Sequence, residues 1–375
     1  MKIGMFIKNF AIGKEFSKNG IPTKSGAEFH CENHALQLIE HGDSVYIMTK
    51  KKYFFTKGRE ILNGIDLCRL HAPFRWLESI IRLITTHRNT DCFYIIGTPH
   101  FAVWAILYAR MFNKPTTLVI TIKEEVFEKQ LNWRNKILAS CTNYIAISQE
   151  IKDELIRKTE VKSSQVHILP QGVDSNRFIV VNEQVKRELR KKYKLPEDKP
   201  IVLFCARLVL RKGVDTMLKA WEIIHKNNQE AILIIVGGGE NHLFDQIKAV
   251  SQKLGNSIIL FGEVQKPDEY YQLSDLYFFP SRMEGLPTTM MEAMASGVPC
   301  VASDIGGCRD LIAPSEAGVL VEAEDYNTFA KEILNFIDND SLRKESAAKG
   351  RQYVESNLDC YKLLPKLRNI LQNKL

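Results

Sequence analysis

The chain lacks the features that mark several common classes of protein. Its eight cysteines include no CxxC pair, and most lie in apolar surroundings. We therefore expect reduced core thiols in a cytoplasmic protein, with neither a disulfide framework nor a metal site. The longest apolar run, residues 93–112, contains Pro99, His100 and Arg110, which favours a strand and an amphipathic helix over a membrane span. Residues 1–7 predict a buried strand rather than a signal peptide.

An incomplete glycine motif and a small basic excess argue against two further classes of function. Gly237–Gly239 is followed by His242 where the pattern GxGxxG needs its last glycine, which argues against an NAD-dependent oxidoreductase. The basic excess is small, since the net charge is +7. All of it lies in residues 1–180, which hold 25 lysine and arginine residues against 17 acidic ones. We therefore expect no nucleic-acid partner.

A chain of 375 residues is longer than a single hydrophobic core usually accommodates, so two domains are expected. Short apolar runs alternate with amphipathic stretches, which predicts an α/β fold with parallel, doubly wound sheets. A charged helix in residues 181–200 suggests domains 1–180 and 181–375 facing each other across a cleft, with the last helix able to return to the first domain. The predicted strands are 2–6, 44–48, 92–96, 116–120 and 144–147, then 200–207, 231–237, 257–262, 276–280 and 298–302.

The segment 281–299 contains the most informative pattern in the chain. Two glutamates, Glu284 and Glu292, stand on either side of a predicted loop-to-helix junction, and Pro287 is expected at the first helical position. Apolar runs on both sides predict buried strands, so the carboxylates should lie at the carboxyl end of a parallel strand, where open α/β sheets bind ligands. Alone, two such glutamates are more often solvated surface residues.

The amides of Gly285 and Leu286 are expected beside Glu284 at the positive end of this helix. The positive charge and free N–H groups at such an end bind phosphate and sugar oxygens favourably. A ligand that offers both hydroxyl groups and negative charge would suit the two acids and these amides. A nucleotide sugar is such a ligand.

A second pattern, Arg207 followed by Lys212 and Gly213, is predicted to form a strand–loop–helix turn. Two cations on one such turn suit a diphosphate, because a forked guanidinium can hold one phosphate and an ammonium group the other. The alternative is a solvated run of charge that also includes Arg211.

The order of these motifs resembles glycosyltransferase family 4, the retaining, nucleotide-sugar-dependent enzymes of the GT-B fold with two Rossmann-like domains. The second-half motifs are specific and the first-half motifs are looser. The resemblance rests on Arg207 with Lys212-Gly213, Val236–Gly239, Glu284–Pro287 and Glu292–Pro299, and more weakly on Ile145–Ser148 and Gln171–Asp174.

The resemblance implies a role for each matching donor-site residue. Arg207 and Lys212 would hold the donor diphosphate and stabilise the leaving group. Glu292 would accept hydrogen bonds from both ribose hydroxyls. Glu284, with the amides of Gly285 and Leu286, would fix the transferred sugar. Glu284, Arg207 and Lys212 would thus act at the reacting groups, with Glu284 positioning the sugar and not attacking it.

Two further positions are implied, and three depart from the family pattern. Val264 would present backbone to the base, and Gly26 would let backbone approach the phosphates. Lys123 stands where the family often has a histidine that touches the donor sugar, so Lys123 either pairs with a phosphate or acidic sugar or is solvated. His100 is a possible sugar or acceptor contact, or else a structural histidine. Gln171 replaces a usual asparagine, which is a small change.

The reaction implied is transfer of a sugar, as a hexosyl or N-acetylhexosaminyl group from a donor expected to be UDP-linked, onto a saccharide or lipid-linked saccharide. Cell-surface polysaccharide or glycoconjugate synthesis is the expected setting. No cofactor or metal is expected, because Asp338-Asn-Asp340 is predicted to be a helix end and cap rather than a metal-binding DxD motif. The alternatives are a sugar-nucleotide epimerase or phosphorylase of the same fold, and a non-catalytic donor-binding partner subunit.

The first half also suggests peripheral contact with the cytoplasmic face of a membrane. Residues 50–57 mix cations with aromatics, and residues 75–84 place apolar side chains at helical spacing near Arg75, Arg82 and Arg88. A basic amphipathic helix can lie on anionic lipid. The alternative is an ordinary helix that packs its apolar stripe on the domain core.

Overall fold

The computed structural model describes residues 1–10, 26–50 and 57–374. The chain divides into two compact units: unit 1 is Met1–Gln171 with Tyr361–Leu375, and unit 2 is Gly172–Cys360. The division precedes the boundary suggested by sequence because residues 173–180 are tied to unit 2. The amide of Val173 donates to the carbonyl of Leu358 at 2.8 Å, and the amide of Cys360 donates to Val173 at 3.0 Å.

The described part of unit 1 alternates strands and helices. The strands are β1 (Lys2–Ile7), β2 (Ser44–Lys50), β3 (Arg59–Leu62), β4 (Ile65–Leu70), β5 (Cys92–Ile96), β6 (Thr116–Ile120), β7 (Asn143–Ala146) and β8 (Val166–Ile168). The helices are α1 (Gly26–Glu40), α2 (Arg75–Thr85), α3 (Ala102–Met111), α4 (Trp133–Leu138), α5 (Gln149–Thr159) and, after unit 2, α14 (Cys360–Leu371).

The sheet of unit 1 has the order β3-β4-β2-β1-β5-β6-β7-β8. Its strands are parallel except that β3 runs antiparallel to β4. The chain winds outward from β1 in one direction and from β5 in the other, so the loops that follow β1 and β5 diverge and leave a ligand-binding position between them.

Helix α14 completes the core of unit 1. Leu364, Leu367 and Ile370 belong to the same buried cluster as Ile3 and Met5 of β1. The helix is also held by polar contacts, since the Asn143 side-chain amide donates to the Ile370 carbonyl at 2.9 Å. Its residues 361–371 therefore belong to unit 1, although they follow unit 2 in the chain.

Unit 2 contains a second alternating series. Its strands are β9 (Ile201–Cys205), β10 (Ile232–Val236), β11 (Ile258–Gly262), β12 (Leu276–Phe279), β13 (Cys300–Ser303) and β14 (Gly318–Val321). Its helices are α6 (Glu183–Lys192), α7 (Val214–Asn227), α8 (Asn241–Lys253), α9 (Asp268–Gln272), α10 (Thr288–Ala295), α11 (Gly306–Ser315), α12 (Tyr326–Asp338) and α13 (Asp340–Tyr353).

The sheet of unit 2 has the order β11-β10-β9-β12-β13-β14, and every pairing is parallel. This is the strand order of mononucleotide-binding α/β folds, whose direction of winding reverses between the first and fourth strands. In unit 2 the reversal lies between β9 and β12. The loops that follow these two strands carry the cationic and acidic motifs.

Three local expectations can be compared with the structure. The helix end and cap predicted at Asp338–Asp340 are confirmed, because α12 ends at Asp338, α13 begins at Asp340, and the Asn339 side chain accepts the Leu342 amide at 3.1 Å. All eight cysteines are buried thiols, as expected of core cysteines. Among the described residues, no helix combines the length and apolar character needed to cross a membrane.

Candidate active site

The loops that follow β9 and β12 contact each other at the carboxyl edge of the unit 2 sheet. The two strands are neighbours, so their loops leave the sheet side by side. Gly213 has a φ of +73°, and a Cβ at this position would lie 1.9 Å from the Pro280 carbonyl oxygen. Only glycine allows so close an approach. The amide of Arg282 also donates to the Arg211 carbonyl at 2.9 Å, which joins the two loops.

The contact between the loops brings Lys212 and Glu284 together. The Lys212 Nζ lies 2.6 Å from the Glu284 Oε1, and the Ser281 hydroxyl donates to the same oxygen at 2.5 Å. The side chains of Lys212 and Glu284 are 13% and 9% exposed. The ammonium group also lies 5.2 Å from the centre of the Phe279 ring, a cation–π distance. Lys212 is thus held by contacts from the opposite loop.

The arginines of these loops are placed differently from one another. Arg207 is exposed directly after β9. Arg211 Nη1 lies 3.9 Å from the Glu284 Oε1. Arg282 forms a two-point ion pair with Asp215 at 2.9 and 2.8 Å, which fixes the first turn of α7 against the loop. Arg207 and Lys212 therefore share one loop, and Arg282 holds that loop to its neighbour.

The start of α10 offers two backbone donors. The helix begins at Thr288, so Pro287 occupies the cap, one position before the place predicted for it. No hydrogen bond to any described residue uses the amides of Gly285 and Leu286. The backbone here packs closely on α11, since a Cβ at Gly307 would lie 2.4 Å from the Gly285 carbonyl oxygen. Unoccupied amides at a helix start favour an anion or a sugar oxygen.

Glu292, in the second turn of α10, is buried with 7% of its surface exposed. Its Oε2 accepts a hydrogen bond from the Tyr271 hydroxyl at 2.8 Å. Burial raises the pKa of Glu292 from about 4.5 to about 7, while the bond from Tyr271 and the charge of Arg177 act in the opposite direction. Near neutral pH this carboxyl group is therefore present in both its neutral and ionised forms.

An aromatic ladder, Tyr271–Tyr277–Phe279, connects the surroundings of Glu292 with those of Lys212. The ring centres of Tyr271 and Tyr277 are 5.8 Å apart, and those of Tyr277 and Phe279 are 5.7 Å apart. These three residues were not among the sequence-predicted site residues. The spacing of Tyr277 and Phe279 in a strand puts them on one face, which is a usable signal. Tyr271 lies on another element and has no such signal.

The remaining candidate residues are placed as follows. Val264 is half-buried just after β11, at the same edge of the unit 2 sheet. Gly26 begins α1 in unit 1. Residues 11–25, which include the rest of its motif, and residues 51–56 of the basic aromatic run lie outside the described residues. His100 is exposed after β5, and the nearby charge of Arg134, with burial and Lys8, lowers its pKa.

Lys123 lies just after β6, at the carboxyl edge of the unit 1 sheet, but its charge is already paired. Its Nζ forms an ion pair with Glu150 Oε1 at 2.7 Å, and half of its side chain is exposed. Glu125, which was not among the sequence-predicted site residues, lies beside the end of β5, since a Cβ at Gly97 would be 3.2 Å from its Oε1. The Thr121 hydroxyl donates to Glu125 Oε2 at 3.2 Å, and burial raises the Glu125 pKa. Glu125 is thus a further charged residue at this edge of the sheet.

One group of potential metal ligands occurs in the described part of the chain, formed by Asp66, Cys68 and His87 of unit 1. Both Asp66 oxygens already accept from Arg59 at 2.8 Å. Burial raises the Cys68 pKa to about 11, which keeps the thiol protonated. The group is therefore better explained as an Arg59–Asp66 ion pair beside a protonated thiol.

A cavity of about 770 Å³ in unit 2 lies away from these loops. It is lined by Asp275 and Pro299, which precede β12 and β13, and so it opens at the amino edge of the sheet. Two of its cations are paired, since Lys186 lies 2.6 Å from Asp275 and Arg343 lies 2.6 Å from Asp340. It therefore takes no part in the candidate site.

Comparison with known proteins identifies the class. The family described as Glycosyltransferase Family 4 matches residues 24–177, and Glycosyl transferases group 1 matches residues 185–353. The Staphylococcus aureus capsular polysaccharide biosynthesis glycosyltransferase CapM is 24% identical over 79% of this chain and 81% of its own length. An Escherichia coli UDP-Gal:alpha-D-GlcNAc-diphosphoundecaprenol alpha-1,3-galactosyltransferase is 25% identical over 81% of each chain. Other curated relatives match over about half of their own length.

Among solved structures, Anabaena HepE in complex with UDP-glucose is similar across 100% of both chains, with a TM-score of 0.78 and 17% identity. That similarity shows the fold, which is the GT-B fold with two parallel-sheet α/β domains. The protein is a glycosyltransferase. It belongs to glycosyltransferase family 4, as the motifs of both halves suggested.

Proposed function

We propose that this glycosyltransferase transfers a sugar from a nucleotide sugar, with retention of configuration, to a saccharide or lipid-linked saccharide. The observation that carries the proposal is the Lys212–Glu284 contact at the switch point of unit 2, beside the unoccupied amides of Gly285 and Leu286. Positive charge, a carboxylate and backbone donors there match the diphosphate and the sugar of one donor molecule.

Each part of the donor has a partner among these residues. Lys212 and Arg207 hold the diphosphate. Glu292 accepts hydrogen bonds from the ribose hydroxyls, which requires its ionised form. Glu284 shares the Lys212 charge with the diphosphate and positions the transferred sugar. A UDP-linked donor is favoured, because the E. coli relative uses UDP-Gal and HepE was solved with UDP-glucose.

The chemistry follows from where charge develops. The bond between the sugar C1 and the donor phosphate oxygen breaks, and negative charge collects on the departing diphosphate, where Lys212 and Arg207 stabilise it. The acceptor hydroxyl oxygen bonds to C1 on the face that the diphosphate leaves, so configuration is retained. The hydroxyl proton passes to a phosphate oxygen. Glu284 forms no covalent bond in this scheme.

The acceptor is proposed from the relatives. CapM is named for capsular polysaccharide biosynthesis, and the E. coli enzyme acts on a sugar linked to diphosphoundecaprenol. A lipid-linked saccharide in cell-surface polysaccharide synthesis is therefore the acceptor class that we propose. An epimerase, a phosphorylase and a non-catalytic subunit find no support in these relatives.

The proposal is tested by incubating the protein with UDP- and GDP-linked sugars and a lipid-linked saccharide, with EDTA present throughout. We expect one UDP-sugar to give a product with the anomeric configuration of the donor, at a rate that EDTA does not change. Product analysis by NMR reads the configuration. An inverted product would contradict retention, and activity lost to EDTA and restored by Mn²⁺ would contradict the metal-independent mechanism. Donor turnover without acceptor, or a need for inorganic phosphate, would indicate one of the other enzyme classes.

We also propose that α2 lies on an anionic membrane surface. The helix presents an apolar stripe outward, formed by Leu77, Ile81 and Ile84, which are 40%, 50% and 56% exposed, with Phe74 just before the helix at 64%. The other face of the helix packs on the domain, as the alternative considered above expects: Leu83 is buried and the Trp76 ring lies 5.5 Å from that of Trp104. Arg88 is exposed beyond the end of the helix, whereas Arg82 pairs with Glu78 at 2.8 Å. Exposed apolar side chains beside basic ones suit an anionic interface.

Co-sedimentation with phosphatidylglycerol-containing vesicles tests this contact. Ile81→Ser with Ile84→Ser should lower the bound fraction about tenfold, because each serine removes apolar surface that would enter the interface. Ile61→Ser is the matched control, since Ile61 is 73% exposed on β3, outside α2. Unchanged binding of the double variant, or equal loss in the control, would dismiss the α2 surface. Pure phosphatidylcholine vesicles should bind the wild-type protein less.

A further inference from the structure

We infer that Tyr271 is a positioning residue for the donor, because its hydroxyl fixes the carboxylate of Glu292. The inference builds on the proposed function, in which Glu292 accepts the ribose hydroxyls. Tyr271 itself would not touch the donor. It lies on α9, outside the motifs that define the site by sequence.

The Tyr271 hydroxyl bonds to Glu292, with the Cys205 thiol as a second neighbour, and leaves room for the ligand on the carboxylate. The Tyr271 hydroxyl lies 2.8 Å from Glu292 Oε2. An ionised carboxylate has about four acceptor sites on its two oxygens. One bond from Tyr271 therefore leaves Oε1 and a second position on Oε2, which is enough for two ribose hydroxyls. The same bond holds the carboxylate plane in one orientation.

The tyrosine ring is fixed from two sides. It meets Phe178 edge-on, with ring centres 5.8 Å apart and an interplanar angle of 75°, and it contacts Tyr277 at 5.8 Å. Tyr271 is fully buried. The Tyr277 hydroxyl in turn lies 3.0 Å from the Cys205 carbonyl oxygen and 2.8 Å from the Thr289 hydroxyl, which joins the end of β9 to α10. A ring packed in this way cannot swing away from Glu292.

The charges near Glu292 largely cancel, so the hydrogen bond from Tyr271 has a marked influence on its ionisation near neutral pH. Arg177 favours the ionised carboxylate and Asp268 disfavours it, but these two form an ion pair at 2.7 Å and partly cancel. The remaining titratable neighbours are Cys205, Tyr277 and Tyr271 itself. Burial raises the pKa of Cys205 to about 12 and raises those of both tyrosines, so all three stay neutral.

The effect of the tyrosine on ionisation has a definite sign. Burial raises the pKa of Glu292 to about 7, and the hydrogen bond from Tyr271 lowers it. Removal of the hydroxyl must therefore raise this pKa further. At neutral pH a smaller share of the carboxyl groups is then ionised, and fewer molecules can accept both ribose hydroxyls.

The test compares Tyr271→Phe with the wild-type protein in steady-state transfer assays from pH 6 to pH 9. We expect the donor KM at pH 7 to rise about tenfold, the effect of one hydrogen bond to a charged group, with kcat little changed. The acid limb of kcat/KM should move to higher pH, so that the defect shrinks at pH 9. Tyr270→Phe is the matched control: this buried neighbour packs against Tyr193 and Phe261 instead.

The outcomes separate the inference from the proposed function. If Glu292→Gln keeps wild-type donor affinity, the site assignment itself fails. If Glu292→Gln loses affinity while Tyr271→Phe keeps the wild-type KM and pH profile, only the inference fails. An equal loss at every pH would show a merely structural role and would also overturn it. Should Tyr271→Phe fold poorly, 3-fluorotyrosine at position 271, a stronger donor, must move the acid limb to lower pH.

Discussion

Lys212→Ala should reduce kcat for sugar transfer at least a hundredfold. Loss of one charged donor that stabilises developing negative charge typically has an effect of this size. Lys212 is suited to that task because it is only 13% exposed and is held by Glu284, so its charge is placed before the reaction begins. Rapid-quench or steady-state assays with saturating donor and acceptor measure kcat directly.

Two further variants distinguish a chemical role of Lys212 from a structural one. Lys219→Ala is the matched control, because this lysine is exposed on α7, and it should retain full activity. Lys212→Met combined with Glu284→Gln removes both charges together, so no unpaired carboxylate remains, and this protein should fold but stay inactive. A fully active variant carrying both Lys212→Ala and Glu292→Ala would contradict the site assignment.

Glu292→Gln should stabilise the ligand-free protein at high pH while it weakens donor binding. Burial raises the pKa of Glu292 from about 4.5 to about 7, so folding favours the protonated form. The stability linked to this group is therefore fully present below pH 4.5 and is lost as the pH rises through 7. A shift of this size corresponds to roughly 3 kcal/mol. Glutamine carries no charge, and its carbonyl can still accept from Tyr271.

The measurement is the unfolding midpoint at pH 4.5 and at pH 8.5, without donor. The gain from Glu292→Gln should appear only at the higher pH, and donor-induced stabilisation should be lost. Glu222→Gln, a surface change on α7, serves as the control and should show no such dependence on pH. If Glu292→Gln and the wild-type protein unfold alike at pH 8.5, the carboxylate is not held in an unfavourable environment.

Much of the fold followed from apolar runs. The predicted strands 92–96 and 116–120 coincide with β5 and β6, and the remaining predicted strands match to within three residues at each end. Such runs can be recognised in the sequence because strands of a parallel sheet are buried on both faces and are therefore continuously apolar. Four strands were missed. Two of them, β8 and β14, have only three and four residues. The other two, β3 and β4, are joined by Asn63-Gly64, a pair with positive φ typical of two-residue hairpin turns.

The acidic and cationic motifs could be brought together from sequence because each follows a strand, and the carboxyl ends of parallel strands meet at one edge. The side chains that hold them could not. Tyr271 reaches Glu292 from another helix, and nothing in the local sequence marks that pairing. Likewise, the short turn after β6 directs Lys123 outward to Glu150 and Glu125 inward, a choice that depends on burial rather than on spacing. Tertiary packing decided these cases.

The return of α14 to the core of unit 1 has a consequence for biosynthesis. A ribosome makes β1 first, yet the leucines that cover it emerge only after all of unit 2 has been translated. Until then one apolar face of the nascent amino-terminal sheet is exposed to solvent. Chaperones bind exposed apolar surface of this kind. The carboxyl-terminal unit needs no such delay, because its strands and their covering helices are consecutive in the chain.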